Sequence, residues 1–201
     1  KGENSHRWPE FLPGGKEVFF TIWVSGGGME SARIAVVSLE TGQRRVLQDG
    51  GSNARYAPTG HLVYARSGGL LAAPFDLQRL QVTGPPVPVL ESVMTTVFGA
   101  GHFSFSGDGS LVYVAGSGRE AESPLLWVDR KGAARPLTET RRAYLHPRLS
   151  PDGRRLAVAI FGTPQDIWIY QSGRDTLTRL TFESVNFSPV VYTTTPALNG
   201  L

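Results

Sequence analysis

The sequence predicts an all-β chain built from repeated four-stranded sheets, and three observations lead to this prediction. A turn signature recurs along the 201 residues, and its last glycines, Gly15, Gly60, Gly109 and Gly153, are spaced by 45, 49 and 44 residues. Short runs of β-branched and aromatic residues follow each turn, which is typical of strands. The 24 glycines and 14 prolines supply the many turns that such a chain needs.

Each repeat contains four short runs that we interpret as strands. The first runs, before the turns, are residues 8–11, 53–56, 102–105 and 146–149. The second runs are residues 18–22, 62–65, 111–114 and 156–160, and the third runs are 33–37, 70–75, 125–128 and 166–170. A fourth run, such as 45–47 or 177–181, follows a polar turn. Four strands in about 45 residues is the size of one β-propeller blade.

The repeat predicts a single domain over residues 1–201, a partial β-propeller of four full blades and the start of a fifth. The full blades cover approximately residues 6–50, 51–98, 99–142 and 143–184. The remaining segment, 185–201, begins with a first-strand pattern at Ser188 and then loses the repeat. Since an incomplete propeller exposes sheet edges and apolar faces, we expect copies of the chain to associate as a homo-oligomer through the incomplete blade. The alternative is a small self-closed ring in which the C-terminal tail packs against the first blade near Trp8.

The turn signature itself is predicted to be structural. Its clearest copy is SPDG at 150–153, where proline presets one turn dihedral and glycine accepts a positive φ. Asp108 and Asp152 are alternative metal ligands in principle, but each stands alone and lacks the spacing of a calcium loop. We therefore assign both aspartates to the turns and expect no bound metal.

The repeat resembles a known family. The sequence SPDGRRLA at 150–157, followed by DIWIY at 166–170, is similar to the TolB-type, WD-like repeat of bacterial β-propellers. The sequence LWVDRKG at 126–132 is most similar to the versions attached to bacterial serine/threonine kinases. The resemblance implies a non-catalytic interaction or sensor scaffold and favours a periplasmic or other extracytoplasmic location. The same repeat occurs in prolyl-oligopeptidase-type peptidases, so the propeller part of a larger enzyme stays the alternative.

Motifs and composition narrow the function further. The sequence contains no G-x-S-x-G, G-x-G-x-x-G or H-E-x-x-H motif, so we expect no catalytic activity and no cofactor in these residues. The net charge of +3 is scattered rather than collected in a basic stripe, which argues against a nucleic-acid partner. No apolar stretch approaches the roughly 18 residues of a membrane span, so no membrane partner is expected.

The first strands carry the candidate binding site. In a propeller the innermost strand of every blade lines the central channel, so distant side chains converge at its mouth. Alternation with period 2 predicts one polar ring containing Asn53, His102 and His146, with the two histidines close together. We predict that a protein, peptide or small ligand binds there. The candidate binding residues are Trp8, Glu10, Asn53, Arg55, His102, Ser104, His146 and Arg148.

Three alternatives to ligand binding stay open at these positions. The channel could be filled with water, Glu10 could pair with arginines that tie blades together, or His102 and His146 could hold a metal. Among the tryptophans, Trp8 is predicted to be the most exposed, because it begins a first strand. Trp127 and Trp168 are predicted to occupy one repeat position and to pack between blades.

Overall fold

The computed structural model of the chain describes residues 2–24, 26, 29–96, 99–116, 122–129, 131–161, 166–172, 174 and 176–182. In these residues the regular elements are β-strands, apart from the 3₁₀ turn Met29–Ser31, so the all-β prediction is confirmed. The strands form four antiparallel sheets that follow the order of the sequence, as the blades of a β-propeller do. The predicted start of a fifth blade, at 185–201, lies outside the described residues.

Two compact units divide the described chain. The first contains residues 2–101 and residue 116, and the second contains residues 102–115 and those after 121. Sheet 1 of the first unit consists of β1 (Glu3–Phe11), β2 (Glu17–Val24), β3 (Arg33–Ser38) and β4 (Arg44–Asp49). Sheet 2 consists of β5 (Ser52–Ala57), β6 (His61–Arg66), β7 (Gly69–Asp76), β8 (Gln81–Val82) and β9 (Val87–Leu90).

The second unit contains the other two sheets. Sheet 3 consists of β10 (Phe103–Phe105), β11 (Leu111–Val114), β12 (Leu125–Val128) and β13 (Ala134–Pro136). Sheet 4 consists of β14 (Tyr144–Leu149), β15 (Arg155–Ile160), β16 (Asp166–Gln171) and β17 (Thr176–Arg179). Within the described residues, no helix has the length and apolar character needed to cross a membrane.

Sheet 2 differs from the predicted four strands, because its outermost position is divided. Both β8 and β9 pair with β7, so this sheet has five strands. Between them lie Pro85 and Pro86. Proline has no amide hydrogen to donate to a neighbouring strand, and it therefore interrupts the outer strand at this point.

Both aspartates of the turn signature have the predicted structural role. Asp152 accepts hydrogen bonds from the Ser150 hydroxyl at 2.6 Å and from the Arg154 amide at 3.0 Å. These two bonds, the hydroxyl first, hold the pKa of the Asp152 carboxyl below its usual value. Asp108 repeats the arrangement with the Ser106 hydroxyl and the Ser110 amide.

One cross-strand pair next to each turn defines equivalent positions in the four sheets. These pairs are Phe11–Val18, Tyr56–Leu62, Phe105–Leu111 and Leu149–Leu156. Because paired residues lie on the same face of a sheet and successive residues alternate, the pairs assign every strand residue to one of two faces. We call the face that carries these pairs the front face and the opposite one the back face.

In the first unit, the back face of sheet 1 packs on the front face of sheet 2. Phe19, Ile34 and Val36 of sheet 1 form one buried cluster with Leu62 and Tyr64 of sheet 2. Each of the five side chains is at most 2% exposed. In the second unit, β10 and β11 of sheet 3 likewise contact β14 of sheet 4. We call such a contact between consecutive sheets a joint.

The register of sheets 3 and 4 corrects the prediction for two tryptophans. Trp127 pairs with Val112 of sheet 3. The equivalent of Val112 in sheet 4 is Ala157, and its partner is Ile169 rather than Trp168. The two tryptophans therefore lie on opposite faces of their sheets, and the prediction that they share one repeat position is wrong. The face on which a tryptophan lies depends on how its strand pairs with the strand before it. The connection from β11 to β12 is longer than that from β15 to β16, so the two strands pair in different registers relative to the repeat.

Candidate functional site

Three of the four first strands contain an irregularity at the same repeat position. The strand register shifts between Arg7 and Glu10, between Ser52 and Arg55, and between Leu145 and Arg148. A non-glycine residue inside each shift has left-handed backbone geometry. These residues are Trp8 with φ 52°, Asn53 with φ 53° and His146 with φ 50°.

The bulges correct the expected alternation of the first strands. A β-bulge places two residues opposite one, so side chains before and after it no longer follow period 2. Trp8 and Glu10, which the sequence predicted on one face, are separated by this interruption. A left-handed conformation costs a non-glycine residue roughly 1–2 kcal/mol, so each bulge needs compensating contacts.

In the first unit, the bulged residue Asn53 donates hydrogen bonds to residues that lie 32 and 48 positions away in the sequence. Its backbone amide donates to Thr21 Oγ1 of sheet 1 at 3.0 Å. Its side-chain amide donates to the carbonyl of Gly101 at 2.8 Å. Thr21 is fully buried and Asn53 is 4% exposed, so both bonds are shielded from water. Asn53 therefore stabilises the joint between sheets 1 and 2.

Glu10 and Arg55 form an ion pair across the same joint. Arg55 Nη1 lies 3.2 Å from Glu10 Oε1 and 3.1 Å from Oε2. The Arg55 side chain is 9% exposed and the Glu10 side chain is 34% exposed. The structure thus contains the pairing of Glu10 with an arginine that ties two sheets together, which was one of the alternatives for these positions.

In the second unit, the two candidate histidines lie together. The backbone amide of the bulged residue His146 donates to His102 Nδ1 at 2.8 Å. The two ring centroids are 4.8 Å apart, which confirms the prediction of proximity. Because Nδ1 of His102 accepts this bond, the neutral His102 ring carries its proton on Nε2. Asn53 belongs to the first unit, and its place in one ring with the histidines stays a prediction.

Ser104 and Arg148 complete the predicted set. Ser104 Oγ accepts a hydrogen bond from the Leu149 amide at 3.1 Å, which links sheets 3 and 4. Arg148 Nη1 donates to the carbonyl of Pro147 at 2.9 Å, beside the bulge. His102 and Ser104 are buried, whereas His146 and Arg148 are half-buried. Of these four candidate residues, therefore, only His146 and Arg148 have side chains that are partly exposed to solvent.

Trp8 belongs to a cluster that the sequence did not predict. The Arg7 guanidinium lies 4.8 Å from the centroid of the Trp23 ring and 5.9 Å from that of Trp8. Arg7 Nε also donates to Ser5 Oγ at 2.9 Å. Trp8 is half-buried, as are the other three tryptophans, so its place as the most exposed of the four stays a prediction. A bulge inside β1 brings Trp8 and Arg7 together, and no sequence signal indicated it.

The chemistry available to these residues is that of recognition. Within the described ranges, no group of three or more His, Asp or Glu side chains is placed to hold a metal ion. The buried candidates bond to neighbouring sheets, and the partly exposed ones are an indole, an imidazole, a guanidinium and the Glu10 carboxylate, which is paired with Arg55. The indole, imidazole and guanidinium stack on rings and donate hydrogen bonds to peptide or carboxylate groups.

Solved structures of bacterial proteins share this architecture. TolB from Acinetobacter baumannii superposes with a TM-score of 0.64 at 16% identity, over 88% of this chain and 43% of that protein. A putative TolB from Agrobacterium tumefaciens superposes with a TM-score of 0.67 at 18% identity, over 89% of this chain and 62% of that protein. The chain has the TolB-like β-propeller fold.

Enzymes also contain this fold. A puromycin-hydrolyzing peptidase from Mycobacterium tuberculosis superposes with a TM-score of 0.62 at 17% identity, over 89% of this chain and 29% of that peptidase. The chain thus spans less than two thirds of each of these proteins. No family model and no curated protein sequence matches it. At these identities the similarity establishes the fold alone.

Proposed function

We propose that this chain is a non-catalytic recognition scaffold that binds a protein, peptide or small ligand through the bulged residues of its first strands. The observation that carries the proposal is the left-handed geometry of Trp8, Asn53 and His146 at one repeat position. Glycine would adopt this geometry at no steric cost. The chain instead places large or polar side chains there, and strained non-glycine residues concentrate at binding sites.

The two half-buried bulged residues, Trp8 and His146, differ in the groups that surround them. Trp8 adjoins Arg7 and Trp23, which gives the first unit an aromatic surface with a guanidinium inside it. Tryptophan and arginine are the residues most enriched at the energetic centres of protein interfaces. His146 and Arg148 give the second unit a ring and a cation. Both surfaces fit a peptide that carries an aromatic or acidic side chain.

A peptide selection tests the proposal. The immobilised chain is panned against a phage library of random heptapeptides, and the enriched peptides are measured on Trp8→Ala and His146→Ala variants. Leu39→Ala is the control, because Leu39 is an exposed turn residue at 55% exposure. Loss of a large aromatic anchor is expected to weaken binding by at least about tenfold. Failure to enrich any peptide, or equal binding to all variants, contradicts the proposal.

A second candidate is the propeller part of a larger enzyme, either a prolyl-oligopeptidase-type peptidase or a propeller hydrolase. The observation that favours it is the match to less than a third of the peptidase. The intact mass of the protein purified from its own cells distinguishes the two candidates. A mass near 21.8 kDa supports the independent scaffold, and a much larger mass supports the second candidate.

A further inference from the structure

The front face of sheet 1 carries an open apolar patch. The patch consists of Phe11, Val18, Phe20, Val37 and Val46, as the strand pairing assigns them. The same face carries the buried residues Ile22 and Ala35, and at its edge Arg33 and Arg44 form ion pairs with Glu3. Phe11 is 67% exposed and Val46 is 42% exposed. The other three side chains are half-buried. Isolated apolar residues on a surface need no explanation, but a contiguous apolar sheet face indicates an interaction site.

Equivalent residues in other sheets show what normally covers this face. In sheet 2, the front-face residues Leu62 and Tyr64 are both 0% exposed, because the back face of sheet 1 covers them. In sheet 4, the residue equivalent to Phe11 is Leu149, and it is 6% exposed. The front face of sheet 1 therefore carries an apolar patch like that of a joint surface, but in the described part of the chain Phe11 and Val46 in the patch have no sheet covering them.

Among the described residues, the back face of sheet 4 also lacks a covering sheet, and a back face is the surface that packs on a front face in a joint. It carries Ile167, Ile169 and Leu180. Leu180 donates its amide to the Ile167 carbonyl at 2.8 Å, just as Leu137 donates to Leu125 in sheet 3 at 2.8 Å. Leu125 is 0% and Leu137 is 4% exposed, whereas Leu180 is 58% exposed. The back face of sheet 4 is thus exposed at a position where the back face of sheet 3 is buried.

We propose that these two faces form a joint between two copies of this chain, with the back face of sheet 4 of one copy docked on the front face of sheet 1 of the other. The chain itself carries both halves of the contact, so a second copy supplies the missing half without any other partner. The arrangement would reproduce the packing of sheet 1 on sheet 2. It shares Arg148 with the ligand site proposed above, but it does not depend on ligand binding, and its test substitutes Phe11 and Leu180, which lie outside that site.

Charge at the first strands supports this pairing. In the joint of the first unit, Glu10 of the covering sheet pairs with Arg55 of the covered sheet. In the proposed joint the equivalent positions are Arg148 of sheet 4 and Glu10 of sheet 1. These two residues again carry opposite charges. Here the positive charge is on the covering sheet and the negative charge on the covered sheet, the reverse of the joint in the first unit. Two like charges at these positions would oppose association.

Light scattering and sedimentation at micromolar concentration test the proposal with exposed substitutions. The unmodified chain is expected to have at least twice the single-chain mass of 21.8 kDa. Phe11→Glu and Leu180→Glu each place a charge in one half of the joint, and each is expected to reduce association strongly. Leu39→Glu is the matched control, since Leu39 is 55% exposed in the turn after β3, and it should leave the mass unchanged. Circular dichroism confirms that each variant keeps its β-sheet content.

Mixing the two blocked variants gives a sharper result. The Phe11→Glu copy keeps an intact sheet 4 face, and the Leu180→Glu copy keeps an intact sheet 1 face. An equimolar mixture should therefore recover a species of two copies joined by one native joint. A 21.8 kDa monomer for the unmodified chain overturns the proposal. So does association that persists in both variants, or a mixture that stays at single-chain mass.

Discussion

The joints of the two units contain the same bulged backbone geometry, but different side chains stabilise it. In both, a bulged residue on the first strand points its amide at the preceding sheet. In the first unit the acceptor is the hydroxyl of Thr21 on β2, and in the second it is the ring of His102 just before β10. The residue equivalent to Thr21 in sheet 3 is Val114, which has no side-chain acceptor.

A second difference concerns charge. At one repeat position the first unit has Glu10, which forms an ion pair with Arg55. The second unit has Ser104 there, and its hydroxyl accepts an amide hydrogen bond. In both units this position therefore accepts a hydrogen bond from the next sheet, and the donor is a guanidinium in the first unit and a backbone amide in the second.

The ion pair should be the most sensitive element of this comparison. Glu10→Gln removes the carboxylate from a largely buried guanidinium, and we expect a loss of about 2–3 kcal/mol in the free energy of unfolding. Urea denaturation followed by circular dichroism measures the change. Ser104→Ala, at the equivalent position, is the control. A smaller loss for Glu10→Gln than for Ser104→Ala would contradict the distinction between the two joints.

Removal of the bulge acceptors should have the next largest effect. Thr21→Val leaves the Asn53 amide without its bond in a buried site, and His102→Phe does the same for the His146 amide. Each is expected to cost about 1–3 kcal/mol by calorimetric unfolding. Thr21→Ser keeps the hydroxyl and should lose less than Thr21→Val. Equal losses for the serine and valine variants would show that Thr21 acts through packing alone.

The neutral hydrogen bond of Ser104 should contribute less. Ser104→Ala removes one acceptor from the Leu149 amide, and the expected loss is about 1 kcal/mol. Ser104→Thr retains a hydroxyl at the same atom position and serves as the control in the same denaturation assay. A loss below about 0.3 kcal/mol for the alanine variant would mean that this amide finds another acceptor.

The smallest difference between the two units should appear at low pH, in the protonation of the carboxylates of Glu3 and Asp152. In the first unit, hydrogen bonds from Arg44 and His6 lower the pKa of Glu3 from 4.5 to about 2. In the second, the Ser150 hydroxyl lowers the pKa of Asp152 below 3.8. A lowered pKa means that the stabilising contribution is complete above the ordinary pKa and is lost as the pH falls through the lowered one. Carboxyl NMR titration measures both, and ordinary values would contradict these contacts.

Much of the fold could be predicted from the sequence, because its signals are local. The turn residues and alternating runs predicted the sheets, and the role of Asp152 followed from turn chemistry. The bulges could not be predicted, because Trp8, Asn53 and His146 are not glycines and give no sign of positive φ. The face on which Trp127 lies depends on how β12 pairs with β11. The connection between these strands is longer than the one before Trp168, and the residues of the strand itself do not indicate the pairing.

The candidate site was predicted in part. The candidate positions Trp8, Asn53 and His146 are the ones that the structure shows as bulged, and the proximity of His102 and His146 followed from the repeat. It did not indicate that Asn53 and His102 are committed to bonds between neighbouring sheets. Their acceptor and donor atoms lie on residues more than 40 positions away in the sequence, so only the folded arrangement identifies these partners.

Hydrogen exchange of two amides tests the central claim most directly. If the bulged residues are held by side chains of the preceding sheet, the Asn53 and His146 amides should exchange slowly in the unmodified chain. Thr21→Val should accelerate exchange at Asn53 and leave His146 protected, while His102→Phe should do the reverse. Rapid exchange of both amides in the unmodified chain, or acceleration of both by either substitution, would contradict the account.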